Sequence, residues 1–178
     1  ALMEVVLLGT GAADGWPNPF CHCASCDDAR RRGEVRGQTA ALVDDDVLID
    51  CGPEVPGTAG RLGRSLATVR HLLITHAHSD HLGPQILLWR SWIAGAGPLE
   101  VVGPADALEV CRGWVGPGDP VRFVPVAAGE ALQVGRYAVR VLPARHRVFR
   151  DGDAVLYDLT RPDGGRLLWA SDPGLWED

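Results

Sequence analysis

Seven consecutive residues, Thr75-His76-Ala77-His78-Ser79-Asp80-His81, place three imidazoles and a carboxylate directly behind the apolar run His71-Leu-Leu-Ile-Thr75. Imidazole nitrogen and carboxylate oxygen are the ligands that Zn²⁺, Mn²⁺ or Fe²⁺ prefer. In a loop leaving a strand, His76 and His78 can point the same way and chelate one ion, while Asp80 and His81 lie one turn further and reach a second. A lone histidine at a strand end is ordinarily a surface residue; this density behind a buried strand points to a metal centre. A second cluster, Cys21-x-Cys23-x-x-Cys26, offers three thiolates at a spacing that fits one face of a tetrahedral zinc and leaves one place open. The alternative there is three free thiols in a flexible loop. His22, between two of the cysteines, reads as solvent-facing, and His71 as a polar residue at a strand edge.

The elements that must hold these residues follow from periodicity and punctuation. Glu4–Leu8 reads as a buried first strand, and Cys26–Arg32 as a short helix behind the cysteine loop. Thr39–Val43 and Val47–Ile49 flank Asp44-Asp45-Asp46 and read as a hairpin with an acidic turn. Gly60–Thr68 suits a helix on the spacing of Arg61, Leu62 and Leu66, and His71–Thr75 is a strand. Gln85–Ile93 and Ala105–Val115 suit helices on either side of a strand at Leu99–Val102. Beyond them Val121–Val126, Ala131–Val134, Tyr137–Leu142, Ala154–Leu159 and Leu167–Ala170 are strand candidates between Gly, Pro and Asp turns. A helix-rich middle between strand-rich flanks argues for one α/β domain over residues 1–178, with helices packed on one or two sheets.

The 178 residues, 46% apolar and 22% charged, suffice for one packed domain and exclude global disorder. The formal net charge is −6, and all 17 basic residues are arginine. That balance is unlike proteins that hold long nucleic acid by a basic surface. Five cysteines, three of them crowded into six residues, do not suit a disulfide framework; Cys51 and Cys111 read as small apolar residues. No apolar run has the length of a membrane span and no signal peptide is visible, so the expected setting is the reducing cytoplasm.

The pattern His76-x-His78-x-Asp80-His81 resembles the H-x-H-x-D-H signature of the metallo-β-lactamase superfamily. Val47-Leu-Ile-Asp50-Cys51-Gly52 resembles the strand-and-aspartate motif that precedes it there, Leu142-Pro-Ala-Arg-His146 the isolated downstream histidine, and Leu168-Trp-Ala-Ser-Asp172 the strand that ends in a bridging aspartate. The four motifs occur in order over nearly the whole chain. The resemblance implies an αββα sandwich in which His76, His78 and His146 hold one divalent ion, Asp80 and His81 belong to a second, and Asp172 bridges the two. Asp50 would orient the loop without binding metal. Gly9-Thr10-Gly11 followed by the cysteine cluster is similar to two branches, the phosphoribosyl cyclic phosphodiesterases and the pyrroloquinoline quinone biosynthesis B proteins, both with a structural zinc at these cysteines.

A complete fold of that kind closes with a further strand, a helix and a last histidine ligand. This sequence stops six residues after Asp172 and has no histidine left for that role. A truncated piece of a longer protein is the favoured expectation, ahead of a partner chain or a weakened second metal site. The function implied is a metal-dependent hydrolase, a phosphodiesterase using two Zn or Mn ions and a hydroxide between them as nucleophile, with Asp80 orienting or deprotonating it. Its substrate would be a small cyclic or nucleotide-like diester, and a homodimer is possible. The alternatives are a cofactor-biosynthesis protein of the quinone type and a non-catalytic metal-binding module.

Overall fold

The computed structural model describes residues 2–174. Six strands form the first sheet: β1 (Val5–Gly9), β2 (Ala40–Val43), β3 (Val47–Ile49), β4 (His71–Leu73), β5 (Leu99–Gly103) and β6 (Val121–Pro125), in spatial order β1-β2-β3-β4-β5-β6. β1, β2 and β3 pair antiparallel, whereas β3 to β6 run parallel. Parallel neighbours need a crossover, and α2 (Val55–Arg61), α3 (Gln85–Ser91) and α4 (Ala105–Arg112) supply the three. The fourth helix, α1 (Ala24–Arg32), follows the cysteine loop. β7 (Ala131–Val134), β8 (Tyr137–Pro143), β9 (Val155–Thr160) and β10 (Arg166–Trp169) form an antiparallel second sheet in the order β10-β9-β8-β7.

The layering follows from which side chains each strand turns which way. Leu42, Leu48, Leu72, Ile74 and Val101 face the helices, where they pack with Val55, Ala59, Leu87, Leu108 and Cys111. Their neighbours Ala41, Val43, Val47, Ile49, Leu73 and Val102 face the second sheet and meet Val139, Val141, Val155, Tyr157, Leu159 and Trp169. Strands covered on both faces read as continuous apolar runs, as β2 and β3 do. β8 buries only alternate residues and turns Ala138 and Arg140 outward, the pattern of a half-covered sheet. On that outer face Arg166 forks onto the buried Asp158 carboxylate at 2.9 and 2.7 Å.

The predicted hairpin is present, and its acidic turn has a conformational reason. Asp44 and Asp45 both lie at positive φ, 49° and 55°, which the tight turns matching the twist of antiparallel strands require and aspartate tolerates. The expected helix at Gly60–Thr68 is corrected: the helix of that region lies earlier, at Val55–Arg61. Pro56 sits in its first turn, where a missing N–H costs nothing, and Gly63 at φ 67° turns the chain out of the helix just after it. α3 and α4 end two and three residues before their expected bounds, at Ser91 and Arg112, and α1 begins two residues earlier, at Ala24.

Polar ties also join the layers. The buried Tyr157 hydroxyl donates to the Ile74 carbonyl at 2.7 Å, and the Tyr137 hydroxyl to Asp44 Oδ2 at 2.6 Å. Burial would raise the Asp44 pKa, but the Tyr137 hydroxyl, the Glu4 N–H and the Arg161 guanidinium outweigh it and hold the carboxyl below its ordinary value. Its stabilisation is therefore complete above the unfolded-chain value of about 3.9 and fades as pH falls through the lower folded value. Asp44→Asn is expected to lower the urea midpoint at neutral pH, with the deficit shrinking below about pH 4. A deficit independent of pH would show that the charge is not its source.

Candidate metal centre

The candidate site collects where strands of both sheets end. Asp50 directly follows β3, His76 lies three residues past β4, His146 three past β8 and Asp172 three past β10. Ligands of α/β sheets gather beyond the carboxyl ends of parallel strands, where loops diverge from a rigid edge.

Asp50 is fully buried and sits at φ 58°. Its Oδ1 accepts from the Thr75 N–H at 2.8 Å, and its Oδ2 lies 2.9 Å from His81 Nδ1, 3.3 Å from Trp169 Nε1 and 3.4 Å from Ser171 Oγ. The Thr75 hydroxyl stands 2.9 Å from both carboxylate oxygens and 2.9 Å from His76 Nδ1. A carboxylate only accepts, so the Thr75 O–H points at Asp50 and its oxygen accepts from His76 Nδ1–H. By the same logic His81 donates from Nδ1. One carboxylate thus fixes two ring orientations, directly at His81 and through Thr75 at His76, and turns both Nε2 atoms away from itself.

Those Nε2 atoms meet the remaining candidates. Among the described residues, His76 Nε2 is buried without a hydrogen-bond partner; it lies 3.7 Å from Asp172 Oδ2. His81 Nε2 is 2.8 Å from Asp172 Oδ2 and 3.2 Å from Asp80 Oδ2. His146 Nε2 is 2.9 Å from His78 Nδ1, a separation at which a proton or a cation must lie between two ring nitrogens. The donor atoms of His76, His78 and His146 lie within 4.8 Å of one another, as do those of His76, His81 and Asp172. His76 therefore stands in both groups, whereas Asp80 belongs to neither and has its contact with His81. An unpartnered buried imidazole nitrogen amid this nitrogen and oxygen donor set fits a divalent ion.

Charge follows the same geometry. Burial, then the nearby rings of His81, His146 and His78, push the His76 pKa down to about 3, so its ring is the neutral form that ligation needs. Burial would also lower His81, but Asp50 and Asp80 on either side of the ring outweigh it and push it up to about 10. The hydrogen bond from His81 holds Asp80 below its ordinary value.

Several contributors were not singled out from sequence: Thr75, Trp169, Ser171, Gly52 and Asp153. A Cβ on Gly52 would stand 2.2 Å from the Asp80 carbonyl oxygen, so only glycine lets the chain after Asp50 pass beneath the histidine loop. Asp153 accepts from the N–H groups of Val148, Phe149 and Arg150 at 3.0, 2.6 and 2.9 Å and shapes the loop that carries His146. Arg145 N–H donates to the Pro173 carbonyl at 2.9 Å, tying that loop to the Asp172 segment. Asp153 left no signal beyond an aspartate in a loop; Gly52 lies within the motif that supplies Asp50, Thr75 opens the histidine run, and Trp169 and Ser171 lie within the motif that supplies Asp172.

The cysteine loop is built separately. The Sγ atoms of Cys21, Cys23 and Cys26 lie within 4.8 Å of one another. Arg30 of α1 donates to the carbonyls of Asn18 and Cys21 at 2.6 Å each and holds the loop against its helix. The Cys26 N–H and the neighbouring Cys21 and Cys26 thiols lower the Cys23 pKa; burial raises that of Cys26. His22 is exposed, its Nδ1 3.4 Å from Asp27 Oδ1. Cys51 and Cys111 are fully buried in the apolar core, as expected. His71 heads β4, its Nδ1 3.6 Å from Glu100.

Residues 45–178 match the beta-lactamase superfamily domain. Among curated relatives, the chain is 34% identical over 120 residues to ribonuclease Z of Mycolicibacterium gilvum, covering 61% of this chain and 35% of that protein. It is 28% identical over 168 residues to ribonuclease Z of Mycobacterium bovis, covering 82% and 55%. Among solved structures, Zn²⁺-bound PqqB from Methylobacterium extorquens superposes with a TM-score of 0.74 at 19% identity over 94% of this chain and 64% of that one. A diphosphatase of the PhnP family gives 0.71 at 23% over 89% and 62%. The chain thus spans less than two thirds of each of these proteins.

Asp50→Ala is expected to cost about 3–5 kcal/mol, because it strips acceptors from several buried donors at once and leaves His81 unpaired. Urea unfolding of the purified variant measures it; a loss under about 1 kcal/mol would mean that the carboxylate is not the anchor of this site.

Proposed function

The chain belongs to the β-lactamase superfamily, and on that premise we propose that it is a metal-dependent hydrolase acting on phosphodiesters. The observation that carries the reading is the convergence of two three-residue donor groups on His76, whose Nε2 is buried without a partner. His76, His78 and His146 would hold one divalent ion, and His81 and Asp172, with Asp80 beside them, a second, zinc or manganese by the chemistry of the donors. Bound there, the ions would supply Lewis acidity to a phosphoryl oxygen and lower the pKa of water.

The chain's own residues prepare that chemistry. Asp50 and Thr75 hold the rings of His76 and His81 in one orientation, so no reorientation is needed when substrate arrives. Asp80, kept ionised by its bond to His81, can hold a proton at Oδ2 beside the cluster. The names of the curated relatives, ribonucleases, support a phosphodiester as substrate class. The net charge of −6 supports a small cyclic or nucleotide-like diester over long RNA. Cys21, Cys23 and Cys26 would hold a separate structural zinc, and unpaired thiols at this spacing suit a reducing cytoplasm. No helix among the described residues is long and apolar enough to cross a membrane.

Bis(p-nitrophenyl) phosphate is expected to be turned over by the Zn²⁺- or Mn²⁺-loaded protein, and His78→Ala should reduce the rate by about 10²-fold or more. No turnover by the loaded protein would sink the hydrolytic reading. Elemental analysis separates the two kinds of site. His78→Ala should lose metal from the histidine cluster only, and Cys23→Ser only the zinc of the cysteine loop. Loss of the same ion in both variants would show a single site.

A further inference from the structure

Asp50 and Cys51 are consecutive and face opposite ways: the carboxylate turns to the histidine cluster and the thiol to the helical side of the sheet. There a cavity of about 300 Å³ opens between the sheet, α2 and α3, lined by Leu48, Leu66, Leu72, Ile86, Trp89 and Ile93 among others. Among the described residues Arg90 is the one charged side chain in its lining. Arg90 donates to the Gly97 carbonyl, and the guanidinium of Arg70 lies against the same glycine, where a Cβ would come within 3.0 Å of it. Arg70 otherwise donates to the carbonyls of Ala67 and Val69, at 3.0 Å each.

Two half-buried guanidinium groups therefore meet at Gly97, and among the described residues neither has a carboxylate within 4.0 Å. The acidic groups nearby are engaged elsewhere: Asp119 Oδ2 accepts from the Gly116 N–H at 2.7 Å, and Glu100 pairs with Arg122. Burial and the adjacent Arg70 charge lower the Arg90 pKa, outweighing the opposing pull of the more distant Asp119 carboxylate. Guanidinium is built to fork onto a carboxylate.

We propose that this cavity binds an amphiphilic carboxylate, with its apolar body among Leu66, Leu72, Ile86 and Trp89 and its head group on Arg90 and Arg70. An apolar wall with a few placed polar groups is the ordinary composition of a small-molecule site, and this volume lies at the lower end of the usual range of about 300–1,000 Å³, which selects a compact chain. Trp89 and Ile93, 38% and 64% exposed at the rim, would be covered by the bound ligand. The site is distinct from the metal centre and does not depend on its activity.

Calorimetric titration of the intact protein with decanoate tests this, with decyltrimethylammonium as the same chain under the opposite charge. One saturable site for decanoate and none for the cation are expected. The double substitution Arg70→Gln/Arg90→Gln should weaken decanoate by about tenfold or more. Ala67→Trp, at an exposed position of the lining, should block it without disturbing the core. The proposal is overturned by decanoate that does not saturate, by equal binding of the two amphiphiles, or by binding that Ala67→Trp leaves intact. It falls equally if sedimentation shows copies of the chain associating through Trp89 and Ile93 while decanoate neither binds nor disperses them.

Discussion

A single buried carboxylate sets the terms for this molecule. Asp50 has no solvent exposure, and an ionised group in such a place is tolerable only when donors surround it. The backbone and hydroxyl of Thr75, the ring of His81, the indole of Trp169 and the hydroxyl of Ser171 meet that demand. Those donors come from the end of β4, the loop after it and the end of β10, so satisfying one charge brings the ends of both sheets together. The geometry of the donor cluster is a by-product of that convergence, because the donors on Asp50 either are ligand candidates or precede them in the chain.

The same economy governs the two sheets. The first carries parallel strands with apolar side chains on both faces, and the second lies over one of those faces. Apolar packing holds the layers but does not fix their offset to a fraction of an ångström; directional bonds across the interface do. Tyr157 to the Ile74 carbonyl sets β9 against β4 just ahead of the histidine loop, and Tyr137 to Asp44 sets β8 against the β2–β3 turn. Each buried hydroxyl needs a partner, and each finds it in the opposite layer. Trp169 packs between the sheets and donates its indole N–H to Asp50, and it thereby couples the packing of the second sheet to the orientation of His81.

Charge within the cluster is distributed to suit cations. His76 is neutral, its second nitrogen unpartnered, with Asp172 and Asp80 grouped around His81. Carboxylates at the end of a buried polar network commonly stabilise a cationic ring, as they do at His81, and would serve a divalent ion equally well. The cysteine loop shares none of this machinery. It is anchored by Arg30 of its own helix and lies outside the two apolar clusters.

Much was legible from local pattern alone. The order of strands, the acidic hairpin turn and the density of histidines behind β4 all rest on short-range rules, because alternation, turn chemistry and ligand spacing act over a few residues. The helix at Val55–Arg61 differs from the expected Gly60–Thr68 for a related reason: the helical spacing of Arg61, Leu62 and Leu66 outweighed the start signal at Pro56 and the stop at Gly63. What the sequence could not determine were distances between residues far apart in the chain. That His76 stands in both donor groups, that Asp80 lies beside His81 outside them, that Thr75 carries the influence of Asp50 to a second ring, and that Arg70 and Arg90 meet at Gly97 all depend on how two sheets and three crossover helices pack. Separation along the chain carries no information about such contacts, which only the assembled layers decide.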